Sequence, residues 1–97
     1  MHIIEKIKVD GAGRLSLTKV FVKMPKRVVV SFEPKSKKLV FTEVPENDET
    51  AVARKIDSKN RVSLPKWLLE ELGEEYYICA ESVGEHYVLP SKFLFIG

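Results

Sequence analysis

Glutamine is missing from this 97-residue chain, cysteine and tryptophan occur once each, and histidine occurs twice. The scarcity of cysteine and histidine removes classes of function. The single Cys79 excludes an internal disulfide and cannot anchor a structural zinc site, which takes about four ligands. His2 and His86 add too little for a metal centre, so no metal is expected. No apolar run approaches the roughly 18 residues of a membrane helix, and the start at Met1-His2-Ile3-Ile4-Glu5-Lys6 has no signal-peptide pattern. The expectation is a soluble, cytoplasmic protein with no membrane partner. The signs of catalysis are also lacking: there is no set of nucleophile, base and orienter, no phosphate-binding glycine loop, and no carboxylate pair at an informative spacing. Gly11-Ala12-Gly13 lacks the longer context of a nucleotide fingerprint. The chain is therefore expected to be no enzyme and to need no cofactor.

What is present supports a core. Hydrophobic residues make up 44% of the chain, and a domain of this length buries roughly two thirds of the surface its unfolded form exposes. Cys79, within Tyr76-Tyr77-Ile78-Cys79-Ala80, reads as a small buried core residue. Net charge is only +2, but it is unevenly placed: residues 1–46 hold ten basic against five acidic side chains, and residues 47–97 hold six against nine. A basic half suits an anionic partner, although surface lysines also serve solubility.

The most informative stretch runs from Lys55 to Gly73. Residues 55–64 alternate apolar and polar about the break Asp57-Ser58-Lys59-Asn60, which predicts strand, turn, strand. Pro65 then suits the first turn of a helix, Trp67, Leu68, Leu69 and Leu72 follow at helical spacing, and Gly73 marks its end. A helix of about two turns is too short to stand alone. Trp67 reads as a core or interface anchor. An earlier copy, Lys8 to Lys19, matches Lys55 to Lys66 without a gap. It sets Asp10 against Asp57, Arg14 against Arg61, Ser16 against Ser63 and Leu17 against Leu64, all 47 positions apart. The chain is two repeats with little left over.

The remaining elements follow from composition. Ile3, Ile4, Ile7 and Val9 mark a first strand, Asp10 to Gly13 a turn, and Arg14 to Leu17 a second strand. Thr18 to Pro25 replaces the helix of the second copy with β-branched residues and a proline, leaving room for at most one turn. Arg27 to Glu33 and Lys38 to Val44 form strands about a turn at Pro34 to Lys37. Residues 45–50 are a linker between a degenerate first repeat (1–46) and a second repeat (51–97). Glu75 to Glu81 and Glu85 to Pro90 form a hairpin closed at Ser82-Val83-Gly84, followed by the apolar tail Ser91 to Gly97. Neither repeat of about 45 residues buries a sufficient core alone. The expected fold is mainly β with a short helix, one barrel domain spanning 1–97 and assembled from two interleaved, tandem βαββ-like halves.

The pattern Arg54-Lys55-Ile56-Asp57, then Asn60-Arg61-Val62-Ser63-Leu64-Pro65-Lys66 and Leu72-Gly73, resembles the AbrB/SpoVT swapped-hairpin (cradle-loop barrel) family of transition-state regulators and antitoxins. The likeness covers about forty residues of the second half and about twelve of the first. Two copies in one chain resemble the tandem (MraZ-like) arrangement, which implies a single-chain pseudo-dimer. It also implies double-stranded DNA as partner, held by basic residues near the turns. By position these are Arg54, Lys55, Lys59 and Arg61 in the second copy and Lys8 and Arg14 in the first, with Asp10 and Asp57 structuring the loops. Two departures remove positive charge: Trp67, Leu69, Glu70 and Glu71 stand where relatives often add arginines, and Ile7 stands opposite Arg54. Two roles therefore stay open for Arg14 and Arg61, bridging to Asp10 and Asp57 or contacting phosphate. Two functions stay open for the chain, a DNA-binding transcriptional regulator or an antitoxin-like interaction module whose C-terminal tail holds a protein partner or a second copy.

Overall fold

The computed structural model describes residues 2–45, 47–48, 52–80 and 86–94. Eight strands and one short helix follow in order: β1 (His2–Lys8), β2 (Arg14–Ser16), β3 (Arg27–Glu33), β4 (Lys38–Glu43), β5 (Arg54–Lys55), β6 (Arg61–Ser63), α1 (Lys66–Leu72), β7 (Glu75–Ala80) and β8 (His86–Pro90), with a 3₁₀ turn at Ser91–Phe93. The protein is thus mainly β, and among the described residues each half has four strands and the helix lies in the second. The turn at Ser82-Val83-Gly84, part of the linker and residues 95–97 of the tail lie outside the described residues.

The strands beside the two polar turns are where alternation predicts them, but they do not pair with each other. β2 pairs instead with β6, setting Leu15 opposite Val62, while β1 pairs with β7 and β5 with β3. Local hairpins join β3 to β4 and β7 to β8, and these two meet where Leu39 faces Val88. The result is a six-stranded antiparallel sheet in the order β1-β7-β8-β4-β3-β5, beside the two-stranded ribbon β2-β6. Under the 47-residue offset, β1 to β4 become β5 to β8, so the strand order reads the same from either edge. The first strand of each half completes the other half's hairpin.

Burial explains why the halves interleave. Val28, Leu39, Tyr76, Ile78 and Val88 from the sheet, Leu15, Leu17, Val62 and Leu64 from the ribbon and its flanks, and Leu68 and Leu72 from α1 form one buried cluster. Each such side chain contributes about 1.5–3 kcal/mol when withdrawn from water, and the cluster draws on both halves throughout. Cys79 is buried on the opposite sheet face from Tyr76 and Ile78, since alternate residues of a strand point to opposite faces.

The helix starts one residue later than its proline suggests. Pro65 is the N-cap, with ψ 143°, and its carbonyl accepts the Leu68 and Leu69 N–H groups. Gly73 ends the helix at φ 87°, a conformation without steric cost for glycine. The Tyr76 hydroxyl, 2.7 Å from the Gly73 carbonyl, donates to it, and burial, with the nearby Glu74 charge, pushes the phenol up to about 12. In the first half, the Val20 and Phe21 N–H groups both reach the Leu17 carbonyl, a single turn without continuation. Of the two roles open to Trp67, the structure removes that of a core residue: it is 57% exposed, because Leu68 and Leu72 take the buried stripe of so short a helix.

β1 and β5 are the outer strands of the larger sheet. Ile3 and Ile4 are partly exposed on β1, but a register shift between Ile3 and Glu5 bends the strand there. Together with Glu5, Lys6 and Lys8 it makes this edge a poor template for further pairing. Among the described residues no helix is long and apolar enough to cross a membrane.

Candidate nucleic-acid interface

The two polar turns have the same construction. In the first, Asp10 Oδ1 accepts the N–H groups of Ala12 and Arg14, each at 2.9 Å, and Asp10 Oδ2 accepts Arg14 Nε–H at 2.8 Å. In the second, Asp57 Oδ1 accepts the N–H groups of Lys59 and Arg61, and Asp57 Oδ2 accepts Arg61 Nε–H at 2.9 Å. An aspartate at the head of a turn satisfies backbone donors two and four residues on, and no longer side chain fits there as well. The last turn residue is left-handed in both, Gly13 at φ 74° and Asn60 at φ 61°, which glycine and asparagine tolerate best.

Pairing of β2 with β6 then brings the turns together. The Leu64 N–H bonds the Gly13 carbonyl and the Leu17 N–H bonds the Asn60 carbonyl, so each half fastens the other's turn. Arg61 Nη1 lies 3.4 Å from Asp10 Oδ2, and Arg14 Nη1 lies 3.8 Å from Asp57 Oδ2. Two aspartates and two arginines thus form a closed, alternating ring across the junction of the halves. Its members are about one quarter to one third exposed, from 26% for the Arg61 side chain to 35% for Arg14. These contacts engage Nε and Nη1 of each arginine and leave both Nη2 groups over.

The bridging role held open for Arg14 and Arg61 is therefore occupied, and it extends further than the chain's local spacing suggests. Lys8, Lys55 and Lys59 are exposed at or beside the turns. Arg54 is turned toward the ribbon, donating to the Ser63 carbonyl at 3.2 Å. Residues not singled out from the sequence also belong here. A cleft of about 680 Å³ beside the first turn is walled by Lys8, Lys66, Leu69 and Glu74. α1 presses so closely on this turn that a Cβ on Gly13 would lie 3.0 Å from Leu69 Cδ1. The 47-residue repeat pairs Lys66 with Lys19, the one signal that pointed to either.

The two turns have a pH signature. The Arg14 N–H bond, joined by that of Ala12 and by the Arg14 side chain, holds the Asp10 carboxyl below its ordinary 3.8 against an opposing desolvation. The Arg61 and Lys59 N–H groups do the same for Asp57. Both groups bind a proton less readily folded than unfolded, so their contribution is complete above about pH 3.8 and disappears as the pH falls through the lower folded values. A carboxyl-carbon NMR titration should place both midpoints below 3.8. Midpoints at or above that value would mean that the turn bonds do not hold in solution.

No family model, curated protein or solved structure matches the chain.

Proposed function

We infer that the chain binds duplex DNA as a transcriptional regulator of the AbrB/SpoVT type, a swapped-hairpin barrel in which one polypeptide supplies both halves of a pseudo-dimer. It acts in the cytoplasm and without a cofactor. One observation carries this reading: the Asp-to-Arg turns, 47 residues apart in sequence, lie side by side and are joined by the Asp10–Arg14–Asp57–Arg61 ring. The ring fixes two guanidinium groups at a set spacing, and Lys8, Lys55 and Lys59, exposed at or beside the turns, add positive charge. Fixed forks that hold position amid a diffuse cationic field suit a phosphate backbone.

The test is a fluorescence titration of the full chain against random-sequence duplex DNA at two salt concentrations. Engagement of about five phosphates predicts an affinity loss of roughly 10²–10³-fold between 50 and 200 mM salt. Binding that is absent, or indifferent to salt, overturns the reading.

A second reading has its own observation. Trp67 stands exposed beside a groove of about 390 Å³ lined by Phe32, Leu72 and Phe93, with the Phe32 and Phe93 rings 6.1 Å apart. Single exposed tryptophans of this kind favour protein contacts. An interaction module of the antitoxin type would use that surface, and it is the reading left if the titration shows no binding.

A further inference from the structure

The ring is symmetric about the junction of the halves, but its surroundings are not. Beside the first turn stand Lys8 from the first half and Lys66 from α1, with Glu74 close by in the same cleft. Beside the second turn, the repeat places Lys55 for Lys8 and Lys19 for Lys66. Lys19 lies two residues past Leu17, whose N–H bonds the Asn60 carbonyl of that turn. Ala12 in the first turn is replaced by Lys59 in the second, and Ile7 by Arg54. The counterpart of Glu74 is Arg27, whose guanidinium donates to the Asp48 carbonyl. One side therefore carries Lys8, Lys66 and Glu74, and the other carries Lys55, Lys59, Lys19 and Arg54, with Arg27 held against Asp48. The side with the glutamate is also the side that α1 crowds.

We propose that the two turns share the duplex unequally: the second-turn side makes most of the phosphate contacts, and the protein lies on DNA in one orientation over a site that lacks two-fold symmetry. This deepens the DNA reading above and rests on it. A cation beside a phosphate releases a counterion, so contacts concentrate where cations are dense and like-charged carboxylates are absent. Lys59 is the residue that most separates the two sides, being exposed, at a turn tip, and without a basic counterpart.

The experiment measures binding of the full chain to a fluorescein-labelled random duplex over a range of salt concentrations, for the parent and for Lys59→Ala, Ala12→Lys, Lys55→Ala and Lys8→Ala. Lys59→Ala should reduce the magnitude of the log–log salt slope by about 0.9, one phosphate contact, and Ala12→Lys should raise it by about 0.9. Ala12 is exposed and lies outside the left-handed Gly13 position, and a gain in slope cannot come from misfolding. Lys55→Ala should weaken binding several-fold more than Lys8→Ala. Equal losses for Lys8→Ala and Lys55→Ala, with an unchanged slope for Lys59→Ala, overturn the inequality while leaving DNA binding in place. Failure of the parent to bind overturns both.

Discussion

Leu15→Ala is expected to cost about 2–5 kcal/mol, the range for truncating a fully buried leucine, and to lower the melting temperature by about 4–8 °C for each kcal/mol lost. Leu15 has no exposed surface and faces Val62, equally buried, across the ribbon. The loss is placed at the high end by geometry. β2 is only three residues long, and the turns at either end of the ribbon are fastened by bonds to the other half, so its backbone has little freedom to settle into the vacated volume. Because domains of this size hold a total of about 5–15 kcal/mol, the variant should be partly unfolded at physiological temperature. Thermal unfolding followed by circular dichroism reads the effect, with Val22→Ala, at a fully exposed position, as the unshifted comparison. A change under about 1 kcal/mol would mean that the ribbon does not belong to the core.

Arg14→Ala combined with Arg61→Ala should weaken duplex binding by roughly 100-fold or more, since a hydrogen bond to a charged group contributes about 1.5–3 kcal/mol and each 1.4 kcal/mol is tenfold. The double variant should still fold. Ion pairs as exposed as these contribute about 0.2–1 kcal/mol each, and the aspartates keep their backbone donors when the guanidinium groups are gone. The loss of both cations does bring Asp10 and Asp57 face to face without compensation, so a small drop in melting temperature accompanies the loss of binding. Arg14→Lys with Arg61→Lys separates charge from shape. It restores the positive charge without the planar fork, so the salt slope should return toward the parent while the affinity stays low. Full retention of affinity in the alanine pair would remove both arginines from the interface.

Much of this arrangement was legible in the residues and some was not. Alternation beside the two polar turns, and β-branched and aromatic composition elsewhere, located the eight strands of the described residues. The constant offset between Asp10 and Asp57 identified two halves of one construction. Strand partners were not legible: the turns at Asp10 and Asp57 look like hairpin turns, and only the shared burial of Leu15, Leu17, Val62 and Leu64 decides that the neighbouring strands pair across the halves. For the same reason Asp10 to Arg14 was visible as a local pair, while the bond from Arg61 to Asp10 was not. Core and interface stayed open for Trp67 because helical spacing says which residues share a face and not which face is buried. Two leucines were enough to claim the inward side of a seven-residue helix.

The way the halves are interlocked also determines when each part of the chain finds its place. Among the strand pairs of the described residues, only β3 with β4 and β7 with β8 are neighbours in sequence, so these two pairs are the pieces able to form early. The remaining strands each take a partner from the other half: β1 joins β7 where Lys8 meets Glu75, β2 joins β6 where Arg14 meets Ser63, and β5 joins β3 where Lys55 meets Arg27. Such long-range closure makes for slow assembly, on the order of milliseconds to seconds. It also means that during synthesis β1 is made long before β7, the strand it pairs with.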